Sequence, residues 1–140
     1  MQSRLLTETV RCVGCRLCEM ACSLKHESEF APWLSRIKVD RTPRTCLAVP
    51  SVCRHCADAP CVAACPVDAI KQSPASDVVY IDAVECIGCQ QCLDACPYHC
   101  IVFDSSRGVA LKCDLCNGDP VCARVCPSGA VAFAVSEDGE

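Results

Sequence analysis

Apolar positions in this chain fall in short runs: SRIKV (35–39), VVYID (78–82), CIVF (100–103), GVALK (108–112) and AVAFAV (130–135), each bounded by Pro, Gly, Ser or Asp. Runs of this length and punctuation predict short strands, paired as two-stranded ribbons. A further strand-like stretch, TCLAV (45–49), follows RTPR (41–44), which predicts a hairpin. Between the runs lie polar, cysteine-dense segments, read as loops and helices of one to three turns that carry the last cysteine of each segment. The opening MQSRLLTETVR is polar, with neither an apolar core nor a twin arginine, so it does not read as a secretory signal. No apolar stretch approaches the roughly 18 residues of a membrane span. The expected location is therefore the cytoplasm, and the acidic SEDGE (136–140) is expected to fray.

Composition changes this picture at one point. Eighteen of the 140 residues are cysteine, whereas the aromatics are three Phe, two Tyr and one Trp. A conventional aromatic core is not expected, and cysteine becomes the main structural material. In a reducing compartment closely spaced thiols are metal ligands rather than disulfides.

The cysteines form a repeat. Cys12, Cys15, Cys18 and Cys22 are spaced x2, x2, x3, and Cys86, Cys89, Cys92 and Cys96 repeat that spacing. Cys53, Cys56, Cys61 and Cys65 are spaced x2, x4, x3, and Cys113, Cys116, Cys122 and Cys126 are spaced x2, x5, x3. The residues at the end of each group repeat too: CPVDAI, CPYHCI and CPSGAV, with only the first group lacking the proline. Structural zinc commonly takes two separate Cys-x2-Cys knuckles. The run Cys-x2-Cys-x2-Cys-x3-Cys-Pro is instead the bacterial ferredoxin pattern, in which three close cysteines grip one cubane and the fourth ligates another. Sixteen ligands at four per cubane give four 4Fe-4S clusters. The fold expected is α+β: two ferredoxin-like 2×(4Fe-4S) modules with small β-ribbons and short helices around the clusters.

The formal charge of -4 becomes about -12 if each cluster with its thiolates adds about -2, which does not suit nucleic acid. A chain of this length has a radius of gyration of roughly 14 Å, which would hold four clusters about 12 Å apart or closer. Clusters fully ligated by cysteine leave no open iron for substrate. The expected function is electron transfer, with no substrate chemistry of the chain's own.

The four groups in this order, with C53-x2-C56-x4-C61-x3-CP and the KCDLC of 112–116, resemble the four-cluster iron-sulfur subunits that serve molybdopterin and tungstopterin enzymes of the dimethyl-sulfoxide-reductase type. CVGCRLCEMACSLKHE and CDLCNGDPVCARVCPSGAV are more narrowly similar to the small subunits of tungsten aldehyde oxidoreductases. Related subunits accompany benzoyl-CoA reductases and carbon monoxide dehydrogenases. The resemblance implies a catalytic pterin partner holding tungsten or molybdenum, and a flavin subunit that could pass electrons to a nicotinamide. A free polyferredoxin carrier is the alternative, and self-association is permitted. The resemblance also implies a nested ligand pairing: Cys12, Cys15, Cys18 with Cys126; Cys22 with Cys113, Cys116, Cys122; Cys53, Cys56, Cys61 with Cys96; and Cys65 with Cys86, Cys89, Cys92. The inner module then spans about 50–105, the outer about 8–30 plus 106–135, and 31–49 is a hairpin insert.

Cys46 and Cys100 fall outside the groups. Cys100 takes the slot of Ala69 and Ala130 in sibling repeats, and both thiols read as small buried side chains. His55 and His26 stand where a ring could hydrogen-bond a cluster sulfur; the plainer reading is a ring with no redox role. His99 is expected to be exposed. Arg36, Lys38, Arg41, Arg44 and Arg54 against Asp40 give residues 36–54 a basic character. It reads either as a solvated face or as a docking surface for the catalytic partner, anchored by Trp33.

Overall fold

A computed structural model of the chain describes residues 2–45 and 47–136. Cys46 and the tail expected to fray, from residue 137 on, lie outside the described residues. Four antiparallel ribbons are formed: β1 (Gln2–Thr7) with β8 (Val131–Ser136), β2 (Lys38–Arg41) with β3 (Ala48–Ser51), β4 (Ile70–Gln72) with β5 (Val79–Ile81), and β6 (Val102–Asp104) with β7 (Val109–Leu111). The helices are α1 (Leu17–Glu27), α2 (Pro60–Ala64), α3 (Gln91–Ala95) and α4 (Val121–Val125). This is a small mixed α/β architecture of short helices and two-stranded sheets. Among the described residues no helix is long and apolar enough to cross a membrane.

Proline decides the helix lengths. Cys65, Cys96 and Cys126 each precede a proline, and each closes its helix in extended conformation, with ψ of 115°, 114° and 113°. The proline ring excludes the helical region for the residue before it. Cys22 is followed by Ser23, so α1 runs on to Glu27 and ends on Ser28 in the left-handed region, whose N–H donates to the Leu24 carbonyl at 3.0 Å.

Helix α1 packs against α4 and α2 against α3. The core is built as composition suggests: Cys18, Cys22, Cys53, Cys113 and Cys122 stand among Leu5, Ile37, Val39, Leu115 and Val131, and no aromatic side chain is fully buried among the described residues. The insert is locked onto α1 by polar contacts. Buried Glu19 accepts the Val39 N–H at 2.6 Å and pairs with Arg16 at 3.2 Å. Arg36 pairs with Glu27 at 2.8 Å, and Arg107 reaches the same carboxylate at 2.7 Å.

Three ribbons depart from the sequence reading. Sequence patterning did not predict β1 or β4, and SRIKV yields a strand only from Lys38, because Ser35 turns the chain by donating its hydroxyl to the Ile37 carbonyl at 2.7 Å.

Candidate metal centres

One backbone rule recurs in all four cysteine groups. The residue two after the first cysteine is left-handed: Gly14 (φ 70°), His55 (48°), Gly88 (75°) and Leu115 (59°). This reversal curls the loop back on itself, and in two groups a non-glycine residue carries strain of about 1–2 kcal/mol to hold it. The third cysteine is then always the second residue of a helix: Cys18, Cys61, Cys92 and Cys122, all buried.

The structure draws together cysteines that the sequence keeps apart. One cavity, with an empty volume of ≈ 360 Å³ partly open to solvent, is lined by Cys53, Cys56, Cys61 and Cys96, with Cys100 and Lys112 at its wall. Another, of ≈ 320 Å³, is lined by Cys65, Cys86, Cys89 and Cys92. In each, three cysteines come from one group and one from its sibling. At the other helix pair burial raises Cys122 and Cys113, and neighbouring thiols add to the rise: Cys22, Cys116 and Cys18 at Cys122, and Cys122 and Cys53 at Cys113. Cys12 and Cys15 act likewise on Cys18, while Cys12 and Cys126 pack against the core that holds Cys18.

Thiol electrostatics test whether these sites fit a metal cluster. Burial pushes Cys18 and Cys122 up to about 12 and Cys92 to about 11, with neighbouring thiols adding to the rise. So buried a thiol ionises only where a cation replaces its proton. The surroundings are meanwhile set to receive sulfur charge. Backbone N–H groups donate to sulfur from Arg36 to Cys22 (3.3 Å), His55 to Cys53 (3.3 Å), Ala69 to Cys65 (3.2 Å), Cys100 to Cys96 (3.5 Å), Ala110 to Cys86 (3.5 Å) and Leu115 to Cys113 (3.4 Å). At Cys65 burial opposes ionisation, yet the N–H groups of Val67, Ala69 and Ile70 outweigh it and lower the thiol below its ordinary range. Four-cysteine cavities with donors aimed at sulfur fit a cluster with thiolate ligands.

A family model described as "4Fe-4S dicluster domain" matches residues 44–136, and one described as "4Fe-4S binding domain" matches 11–25. The chain belongs to the 4Fe-4S dicluster family. Several 4Fe-4S clusters are accordingly its cofactors. The dicluster chain is 40% identical over 117 residues to the aliphatic sulfonate oxidoreductase polyferredoxin-like subunit of Pyrococcus furiosus, covering 83% of the chain and 66% of that subunit. It is 38% identical over 138 residues to UacF of Escherichia coli (strain K12), covering 94% of the chain but only 21% of UacF. Its fold matches a chain of the benzoyl coenzyme A reductase active-site complex BamBC, at a TM-score of 0.56 and 26% identity, over 94% of this chain and 78% of that one.

Around the dicluster cysteines the structure sorts the remaining candidates. Cys100 is buried, and its sulfur lies 3.4 Å from the Tyr98 carbonyl. His99 is exposed. His26 Nε2 stands 3.7 Å from Cys116 Sγ and 3.7 Å from Asp114 Oδ1, a carboxylate that the cysteine pattern did not single out. His55 is buried, and burial together with Lys112 lowers it to about 4, so the ring is neutral near pH 7. Its Nδ1 accepts the Val79 N–H at 3.1 Å, which assigns the proton to Nε2, and Nε2 has no partner among the described residues. The expected basic face is smaller than its sequence, because Arg36 is buried on Glu27; Arg54 stays exposed, with its guanidinium over the Tyr98 ring at 4.0 Å. Arg16, paired with Glu19, lines an open cleft together with Lys38, Arg41, Asp40 and Trp33, where Trp33 is 67% exposed.

Proposed function

We propose that the chain is the electron-transfer subunit of a multi-subunit oxidoreductase and holds four 4Fe-4S clusters in the nested pairing, as an inner module over about 50–105 and an outer one over about 8–30 plus 106–135. The observation that carries this reading is the lining of two cavities by three cysteines of one group and one of its sibling. Each cluster, when bound, supplies a one-electron centre whose irons are all held by cysteine. The chain's own part is to bury the third cysteine of every group, to direct N–H groups at the sulfurs, and to leave Cys15 and Cys89 exposed at two loops. N–H donors to sulfur favour the reduced, more negative state and so raise its potential. About sixteen irons per chain and reducible signals in electron paramagnetic resonance are expected; iron well below that number, or no reducible signal, overturns the proposal.

The partner is read as a tungsten or molybdenum pterin subunit, first of all that of an aldehyde oxidoreductase, with a flavin subunit relaying electrons to a nicotinamide. The motif similarity supports it, and the Pyrococcus and BamBC relatives belong to oxidoreductases of other substrates. The cleft of Arg16, Trp33, Lys38 and Arg41 suits its docking. Reversing Arg41 and Arg44 to Glu should weaken co-elution with a pterin protein on size exclusion while iron content stays complete. Unchanged co-elution removes the cleft from the reading.

A further inference from the structure

Apart from cysteines, five titratable side chains are buried among the described residues: Glu19, Arg36, His55, Asp104 and Lys112. Three have ionic partners, Glu19 in Arg16, Arg36 in Glu27 and Asp104 in Arg107, and His55 is neutral. Lys112 takes part in none of the ion pairs among the described residues. Its Nζ donates to the Val79 carbonyl and, at 3.1 Å, to the Cys113 carbonyl, and stands 3.4 Å from His55 Nδ1. Two carbonyls accept its protons, the His55 Nδ1 lone pair being already taken by the Val79 N–H, but they leave its charge uncompensated, and a buried charge without a counter-ion is strongly disfavoured.

Two sets of anions are within its influence. Lys112 lines the cavity of Cys53, Cys56, Cys61 and Cys96, and it immediately precedes Cys113 of the other helix pair. Its charge acts on both Cys61 and Cys113. It therefore sits where the α2–α3 pair and the α1–α4 pair meet.

We infer that Lys112 is the internal counter-ion of the two clusters held on either side of it, one by Cys53, Cys56, Cys61 and Cys96 and one by Cys22, Cys113, Cys116 and Cys122, and that it raises their reduction potentials. The inference rests on the cluster-binding reading of the proposed function. Adding an electron makes a cluster more negative, so a fixed cation beside it stabilises the reduced form. Lys112 acts through charge on the centres and is a positioning residue for electrons. A structural role, as a tie between the Val79 and Cys113 carbonyls, would need its hydrogen bonds alone.

The test is a potentiometric titration of the holoprotein, followed by electron paramagnetic resonance with iron counted in parallel, on wild type, Lys112→Arg and Lys112→Gln. Arginine keeps the charge; glutamine keeps a donor and loses it. Lys112→Gln is expected to lower one or two of the midpoint potentials and leave the others in place, while Lys112→Arg stays near wild type. Loss of about a quarter to a half of the iron from Lys112→Gln, with Lys112→Arg complete, supports the same role. Iron-complete Lys112→Gln with every potential unchanged overturns the inference, as does an equal shift of all the clusters, or the two variants behaving alike. A wild type without reducible clusters overturns instead the reading on which it rests.

Discussion

The loops 12–22 and 86–96 share one cysteine spacing and begin alike. Each has a left-handed glycine after its first cysteine and a left-handed residue, Arg16 or Gln90, before its helix, and each buries its third cysteine on that helix. They part at the fourth cysteine. Pro97 ends α3 after five residues, and the turn it forces brings the Cys100 N–H back to the Cys96 sulfur at 3.5 Å, four residues on. With Ser23 in place of proline, α1 continues for eleven residues, and Cys22 loses that local donor. Its sulfur is served instead by the N–H of Arg36, at 3.3 Å and fourteen residues away, from the insert. One proline thus decides whether a thiolate is solvated by its own turn or by a segment brought to it. The insert also places Arg41 over Gly14, whereas the carbonyl of Gly108 covers Gly88.

Substituting Ser23→Pro should break this contrast most severely. Proline in a helix interior costs about 3 kcal/mol or more, and it would also remove a hydroxyl that accepts the Ala31 N–H at 3.2 Å. The expected result is a fall in Tm of about 10 °C or more with loss of iron, whereas Pro97→Ser in the sibling loop should lose less. Equal losses would show that the two loops do not differ in the way described.

The two glycines sharpen the comparison at a smaller scale. A Cβ at Gly88 would lie 2.4 Å from the backbone oxygen of Gly108, but at Gly14 it would meet the movable end of Arg41 at 2.3 Å. Both alanine variants carry left-handed strain of about 1 kcal/mol. Only Gly88→Ala must also shift a backbone, adding about 1–3 kcal/mol. Thermal unfolding of the holoproteins should rank Gly88→Ala below Gly14→Ala, and the reverse order would sink the steric argument.

The smallest effect concerns the tie between the two regions. Arg107, next to the Gly108 that covers Gly88, binds both Asp104 and the Glu27 carboxylate at the end of α1. Hydrogen bonds from Ser106 and Arg107 lower Asp104 to about 2; at Glu27 burial opposes ionisation, but Arg36 and Arg107 outweigh it and lower the group. Carboxyls depressed in the folded state stabilise it above their unfolded values, near 4, and that stability is lost as the pH falls towards the folded ones. Cluster bleaching should therefore be slower in wild type than in Asp104→Asn at pH 6, and the two rates should converge between about pH 4 and about 2. A constant ratio across that range would remove the tie.

Much of the chain's plan was legible because cluster-type ligand patterns are local. The spacing marked all four loops and the RTPR turn marked the hairpin of β2 and β3; the helices expected to carry the last cysteine of each group all carry the third, and in three groups they stop just before the fourth, because a proline follows it. What escaped depended on distant partners. Strand β1 is a polar segment whose pairing partner β8 lies some 130 residues on, and β4 is three residues long with no alternation to read. Arg36 looked like surface charge, since nothing local announces that Glu27 will take it. Glu19 lies inside a cysteine loop and gives no sign that it will be buried to receive a backbone N–H twenty residues on. Lys112 was visible only as the first letter of KCDLC, and its importance comes from neighbours at positions 55 and 79.

By itself, then, the sequence determined the chemistry: cysteine in this number and at these intervals makes a 4Fe-4S protein, because three ligands on one tight loop are a matter of local chain geometry. Tertiary structure decided which sibling supplies the fourth cysteine to a cavity, which N–H reaches which sulfur, and which charges stay in water. Those outcomes depend on packing between segments far apart in the chain, where burial turns an ordinary lysine into an uncompensated cation and an ordinary glutamate into a structural acceptor.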